Sequence, residues 1–244
     1  MTAPESEVAV RFLDETLVIV SKPGSLLVHR SPLSRERDVL LTRVRDQLGQ
    51  HLYPVHRLDR ATSGLILFAL SSETARHLQE HWRDEENDKR YVGLVRGEPR
   101  ESFSSDRPLT RHDDGVRQEA HTDFGCLATD RGFSLISAEL RTGRRHQIRR
   151  HLAHLGHQLV GDTSYGKGRI NQWLREEFAL PRLFLHSARL TFRHPLTGHL
   201  LTIADHAPSD LGDFIRRFSP ALAAAFFAEF TAPEFTAPEF TAPE

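Results

Sequence analysis

Apolar residues recur at two different spacings along this chain, and the change from one spacing to the other marks out its elements. Short apolar runs at Val8–Leu13 and Thr16–Ser21 flank Asp14-Glu15 and stop at Lys22-Pro23-Gly24. This predicts two short strands and a turn. Asp38–His51 carries Leu40, Val44 and Leu48 four apart, one face of an amphipathic helix. Leu65–Leu70 is apolar without interruption, as in a strand buried on both faces. Ser72 can cap a helix reaching about Arg83, with Ala75, Leu78 and Trp82 inward. A strand over Tyr91–Val95 ends at Gly97, and the polar residues 98–118, broken by Pro99 and Pro108, predict a surface loop or flap.

The second half follows the same logic. Phe133–Leu140 predicts a strand, and Gly143–Gly156 a helix with Ile148, Leu152 and Leu155 on its apolar face. Short strands follow around Leu183–Leu185, Leu190–Phe192 and Leu200–Ile203, and Pro208–Phe218 predicts a closing helix. Strands and helices mix without regular βαβ alternation, so the expected class is α+β with a mixed, largely antiparallel central sheet and flanking helices.

Composition narrows the function classes. Of 244 residues, 39% are hydrophobic and 27% charged, as in a soluble globular protein. No apolar run approaches the roughly 20 residues that span a bilayer, and Met1–Glu7 lacks a signal-peptide pattern. A single cysteine, Cys126, excludes an internal disulfide and any Cys-x-x-Cys zinc pair. The expectation is a cytoplasmic protein, a monomer, without membrane contact. Phe-Thr-Ala-Pro-Glu occurs three times over residues 230–244, with proline too frequent for a helix interior or central strand. Residues 218–244 are therefore expected to form a low-complexity, disordered tail after a catalytic domain at 1–217.

Net charge, −1 overall, hides an uneven distribution. Four of the 33 acids (Glu229, Glu234, Glu239 and Glu244) lie after Arg217, the last basic residue, so the preceding body carries 32 basic against 29 acidic groups. Residues 140–151 hold five arginines, two histidines and no acid. Such a block is the footprint of a phosphate-contacting surface.

The densest chemistry lies at His56-Arg57-Leu58-Asp59-Arg60-Ala61-Thr62-Ser63-Gly64. A carboxylate between two guanidinium groups is favoured in its charged form and can act as nucleophile or electrostatic partner. The same residues also make an ordinary turn, with Asp bonding amides ahead of it and Gly closing it. Local chemistry leaves both open.

The nonapeptide matches, at every fixed position, the signature loop of the RluA-type pseudouridine synthases. Other segments resemble that family in the right order: Leu17–Gly24 with Leu27-Val28-His29, Lys89-Arg90-Tyr91, Arg141–Arg149, Gly161-Asp162 with Tyr165-Gly166, and Leu183–Ala188. The resemblance covers about residues 8 to 206, and within the family it is strongest to the tRNA pseudouridine synthase C branch. It implies a sheet divided by an active-site cleft, with Asp59 as the catalytic aspartate, Tyr91 as the active-site tyrosine and Arg149 as the ion-pair partner of Asp59. It implies isomerisation of a uridine in structured RNA, without cofactor or metal, most closely position 65 in the T-arm stem of tRNA. Large-subunit rRNA is the alternative substrate, and a catalytically silent RNA-binding protein the alternative function. His56, Arg57, Arg60, Arg144, Arg145 and Arg150 are the expected RNA contacts. His151, His154 and His157 fall three apart but lack a carboxylate or cysteine to complete a metal site.

Overall fold

The computed structural model describes residues 7–30, 38–82, 84, 86–111 and 114–231. In chain order the first half contains β1 (Val10–Leu13), β2 (Leu17–Lys22), α1 (Leu40–Leu48), β3 (Tyr53–Pro54), β4 (Ser63–Ala69), α2 (Ser72–His81) and β5 (Asp88–Arg96). Then come β6 (Ser102–Ser105), β7 (Leu109–Thr110), β8 (Arg117–Gln118), β9 (Thr122–Asp130) and β10 (Phe133–Leu140). The rest is α3 (Gln147–His154), α4 (Gly168–Phe178), β11 (Leu185–Arg193), β12 (Leu200–Ala204), α5 (Ser209–Phe218) and α6 (Pro220–Ala228).

One large sheet runs in the order β1-β2-β4-β11-β5-β10-β9-β6, with β12 added to β11 and β3 to β4. Its ladders are antiparallel except between β4 and β11, where His186 pairs with Ser63 and Ser187 with Gly64. The α+β expectation holds. Alternation along β4 shows why that strand is apolar from Leu65 onward. Ile66 and Phe68 face a core shared with Leu40 and Val44 of α1 and Ile148 and Leu152 of α3. Leu65 and Leu67 face the opposite side, against Ala75 and Leu78 of α2. With both faces covered, neither parity tolerates a polar residue. A third core joins Val92 and Leu94 of β5 to Leu174 of α4, Phe214 and Phe218 of α5, and Leu222 and Phe226 of α6. Among the described residues, no helix is long and apolar enough to cross a membrane.

Several expectations need correction. The cap of α2 is Ser71, whose hydroxyl accepts from the Thr74 amide at 3.0 Å, one residue before the expected cap; residue 83 lies outside the described residues. The helix expected at Gly143–Gly156 begins only at Gln147, and Leu155 is exposed beyond its end, because a turn occupies the first residues. Residues 98–118 are not a plain loop: β6 joins the sheet edge, and β7 and β8 form a hairpin. The helix α4 has no counterpart in the sequence reading, since its polar face masked the inward Leu174.

The boundary at 217/218 is also wrong. Ser219 caps α6 by accepting from the Leu222 amide at 3.1 Å, and Pro220 occupies its first turn. Leu222, Ala223 and Phe226 are buried against the third core. Phe230 rests on Phe226 with centroids 5.1 Å apart, and Glu229 pairs with Arg90 at 3.0 Å. The apolar run Pro220–Ala228 forms a helix in its own right, to which the composition of the following repeat does not extend. The remainder of the expected tail, residues 232–244, lies outside the described residues.

Candidate active site

Asp59 sits in the loop that leads into β4, at the parallel junction of the large sheet. Gly64 explains the approach. Its φ of +110° is disfavoured for other residues, and a Cβ there would lie 2.2 Å from the Ser187 carbonyl oxygen of β11. The loop is tightened by a bond from the Thr62 amide to the Asp59 carbonyl at 3.1 Å. Beneath it lies the buried Lys22, whose ammonium donates to the carbonyls of Pro23 and Leu26 at 2.8 Å and of Arg60 at 3.1 Å. Burial, reinforced by Arg182 and Arg60 and opposed by Asp59, pushes Lys22 down to about 7.

The cleft above Asp59 has a volume of about 340 Å³ and is bounded by the Asp59 loop, β5, the β7–β8 hairpin and the start of α3. Arg149, on the first turn of α3, reaches Asp59 Oδ2 through Nη1 at 3.1 Å. The rest of its guanidinium is clamped by Asp162: Nε donates to Oδ2 at 2.8 Å and Nη2 to Oδ1 at 2.9 Å. Asp162 also accepts from the amides of Ser164 and Tyr165. Burial pushes the Asp162 carboxyl up, but Arg149 and these amides outweigh it and hold it below the usual range. Arg149 in turn is raised despite burial by its two carboxylate partners. This fork fixes the arginine from behind, so that its remaining N–H meets Asp59 in a set direction. The Asp59 side chain remains 18% exposed, against 1% for Asp162, so only Asp59 of this pair can meet substrate.

Tyr91 lines the same cleft from β5 and is buried, paired across the sheet with Ser187 of β11 and Ala138 of β10. Burial raises its phenol well above the ordinary value, with the Asp59 carboxylate adding to the rise and Ser187 opposing it. The hydroxyl therefore enters any neutral-pH reaction as O–H. Asp59, Tyr91 and Arg149, drawn from three elements, meet in one cleft.

The expected RNA contacts divide. Arg57 and Arg145 are exposed on the cleft lining and make no ion pair or hydrogen bond among the described residues. Arg144 and Arg150 also line the cleft, but they hold the hairpin region: Arg144 donates to the Glu119 carbonyl at 2.8 Å and Arg150 to that of Thr110 at 3.0 Å. Arg60 turns away from the cleft to the Ser25 carbonyl at 3.1 Å. His56 stands apart from the cleft lining: its Nε2 accepts from the Leu67 amide at 3.1 Å and its ring stacks on Trp82 at 4.8 Å, on the α2 side. Burial, with Lys89 nearby, pushes it down to about 3.

Sequence reasoning assigned no role to Asp162, His146, Tyr165 or Lys22. An aspartate two and three residues before amides it can accept from (Asp162-Thr163-Ser164-Tyr165) is a legible turn signal, but nothing local says that it clamps an arginine. The histidines at 151, 154 and 157 diverge: His151 bonds Thr122 and the Arg107 carbonyl, each at 3.0 Å, and His157 the Arg96 carbonyl. Among the described residues no group of three His, Cys, Asp or Glu side chains is placed to hold a metal.

Comparison with known proteins agrees with this arrangement. Residues 16–154 match the family described as RNA pseudouridylate synthase. A tRNA pseudouridine synthase C of Vibrio cholerae is 40% identical over 215 residues, covering 79% of this chain and 88% of the relative. One from Pasteurella multocida is 40% identical over 232 residues, covering 86% and 95%. Among solved structures, human RNA pseudouridylate synthase domain containing 4 superposes with a TM-score of 0.70 at 24% identity, over 86% of this chain and 92% of that one. Human RNA pseudouridylate synthase domain containing 1 gives 0.66 at 21%, over 96% and 100%; both show the shared fold. The matched segment contains the Asp59 loop, Tyr91 and Arg149 together, and the chain belongs to the RNA pseudouridylate synthase family.

Proposed function

We propose that this protein isomerises a uridine of tRNA to pseudouridine, acting as a cytoplasmic monomer with Asp59 as its catalytic carboxylate. The observation that carries the reading is the 3.1 Å pair between Asp59 Oδ2 and an Arg149 already clamped by Asp162, beside the buried Tyr91. The names of the relatives support tRNA as the substrate class.

The reaction breaks the N1–C1′ bond, turns the base, forms the C1′–C5 bond and moves one proton from C5 to N1. Product and substrate are isomers, so atoms balance without a co-substrate. Asp59 engages the nucleotide as nucleophile or as stabiliser of positive charge at C1′. Tyr91 stacks against the uracil and carries a proton at its phenol. A uridine inside a duplex must be extruded to reach a carboxylate in a cleft, and Arg57 and Arg145 face that path. The T-arm stem, at position 65, is the proposed target, recognised by the shape of the folded arm because A-form helices expose little sequence to side chains.

The test uses purified protein with tRNA transcripts and rRNA fragments, pseudouridine being mapped on each by carbodiimide chemistry. Conversion of tRNA at position 65, abolished by Asp59→Asn, is the expected result. Conversion of rRNA alone would overturn the tRNA assignment. RNA binding without conversion of any substrate would favour a catalytically silent member of the family.

A further inference from the structure

The geometry points to His146 as a positioning residue for the reaction, steadying Asp59 Oδ1 while Arg149 holds Oδ2. This rests on the reading of Asp59 as the catalytic carboxylate. His146 stands immediately before α3 with φ 55° and ψ 30°, a left-handed conformation that is strained for a non-glycine residue. It occupies the N-cap yet makes no side-chain cap bond, giving up a stabilising contact available to Ser, Thr, Asp or Asn there. Its ring is turned into the cleft instead.

What the ring does there is specific. Nδ1 lies 3.2 Å from the Tyr165 hydroxyl, and the two rings meet edge to face at 5.8 Å. Tyr165 is itself fixed, since its amide bonds Asp162 and the Arg149 guanidinium lies over its ring at 5.2 Å. If the Tyr165 hydroxyl donates to Nδ1, the imidazole proton is left on Nε2, which faces Asp59 Oδ1 at 3.8 Å. Arg149 meets the other oxygen, Oδ2. The 3.8 Å gap exceeds a hydrogen bond, and contacts of this kind tighten when substrate binds. The strained backbone is held by the next residue: Gln147 accepts from the Thr142 hydroxyl and the Arg144 amide, and donates to the His121 carbonyl and Thr122.

The charges around the ring favour its neutral form. Burial lowers His146 below the ordinary histidine value; Asp59 opposes this, Arg149 and Arg145 add to it, and Asp162 opposes it. A protonated ring would put a third cation beside these arginines and draw Oδ1 into an ion pair, away from the nucleotide. His146 thus sets an acid limb to turnover.

The experiment measures kcat, KM for tRNA, melting temperature and the pH profile of kcat for wild type, His146→Gly, His146→Gln and Asp59→Asn. Glycine relieves the left-handed strain, so His146→Gly is expected to melt no lower than wild type. Its kcat should fall about a hundredfold with KM within about threefold, the size of a lost positioning contact. Glutamine places an amide N–H near Nε2, so His146→Gln should regain about tenfold, with the acid limb abolished. A kcat for His146→Gly within threefold of wild type, or a loss confined to KM, overturns the proposal. Should the glycine variant fail to fold, an unchanged acid limb in the glutamine variant overturns it instead. Asp59→Asn separates the two readings: activity in that variant defeats the catalytic aspartate itself, whereas a dead Asp59→Asn beside a fully active His146→Gly defeats only the role of His146.

Discussion

Two aspartate–arginine networks lie near the β4–β11 junction, and they are built to opposite ends. At the cleft, Asp59, Arg149 and Asp162 share one guanidinium, and one carboxylate is left facing open space. In the other, Asp205 accepts from Arg11 at 2.7 Å and Ser21 at 2.5 Å and lies 3.2 Å from His186 Nε2, while His186 Nδ1 and Ser63 Oγ are 2.8 Å apart. Asp205, His186 and Ser63 are all buried, and Phe230 covers the His186 ring at 5.5 Å. The chemical parts are alike; their exposure differs. A buried carboxylate whose oxygens are all engaged can only hold structure together, whereas Asp59 keeps an oxygen for substrate. Ser63 belongs to the signature loop, so the closed network also anchors the strand that carries the open one.

Substitution should separate the two. Asp59→Asn is expected to cut turnover by at least about 10³-fold while melting within a few degrees of wild type and binding RNA within about tenfold; single-turnover assays and melting curves check this. Arg149→Ala should lose turnover comparably but also stability, because it strands Asp162 as a buried unpaired carboxylate at a cost of about 3–5 kcal/mol. A stable Arg149→Ala protein would mean that water satisfies Asp162. Tyr91→Phe keeps the ring and removes the proton, and a fall in kcat of about 10²-fold is expected; a fall below about fivefold would reduce Tyr91 to stacking.

Asp205→Ala should show the reverse pattern. It deprives Arg11 and His186 Nε2 of their buried carboxylate and should lower the melting temperature by roughly 10 °C, with kcat for the folded protein within about threefold of wild type. A large loss of kcat without loss of stability would make this network part of the chemistry.

Acid sharpens the contrast. Asp205, despite burial, is held down to about 2 from 3.8 by His186, Ser21 and Arg11, so its contribution is complete above 3.8 and is lost as pH falls toward 2. Half-buried His56 is held down to about 3 against an ordinary 6.5, because its ring is packed against Trp82 and stands near Lys89. The folded state therefore favours its neutral ring, and that contribution is complete above 6.5 and drains away as pH falls toward 3. Melting temperature against pH should slope downward through this window, and His56→Gln should flatten the slope between about 6.5 and 3. The smallest effect is expected at Phe230→Ala, which should lower the melting temperature by a few degrees and leave kcat unchanged.

Several parts of this protein were legible residue by residue. The apolar run of β4 from Leu65, the helical spacing of Leu40, Val44 and Leu48, and the strand at Phe133–Leu140 all follow from periodicity, because burial of a face imposes its repeat on the chain. Asp59, Tyr91 and Arg149 were marked by motif and arginine density. Periodicity failed where packing is irregular. In α6 the stretch Pro220–Ala228 is apolar nearly all round, which gives no helical repeat to detect, and the proline-rich repeat beyond it misled the domain boundary.

The sequence alone determined the class of fold and the signature loop, which are written in local order and residue type, and its family resemblance singled out Asp59, Tyr91 and Arg149, which line one cleft. Tertiary structure decided which groups share a charge. Asp162 clamps Arg149 across 13 positions, and Arg149 reaches Asp59 across 90. His56 and Asp59 stand three apart in one motif, yet His56 stacks on Trp82 and Asp59 faces the cleft. Electrostatic and hydrogen-bonding energies depend on distance and burial in space, and neither is recorded in the spacing of residues along a chain.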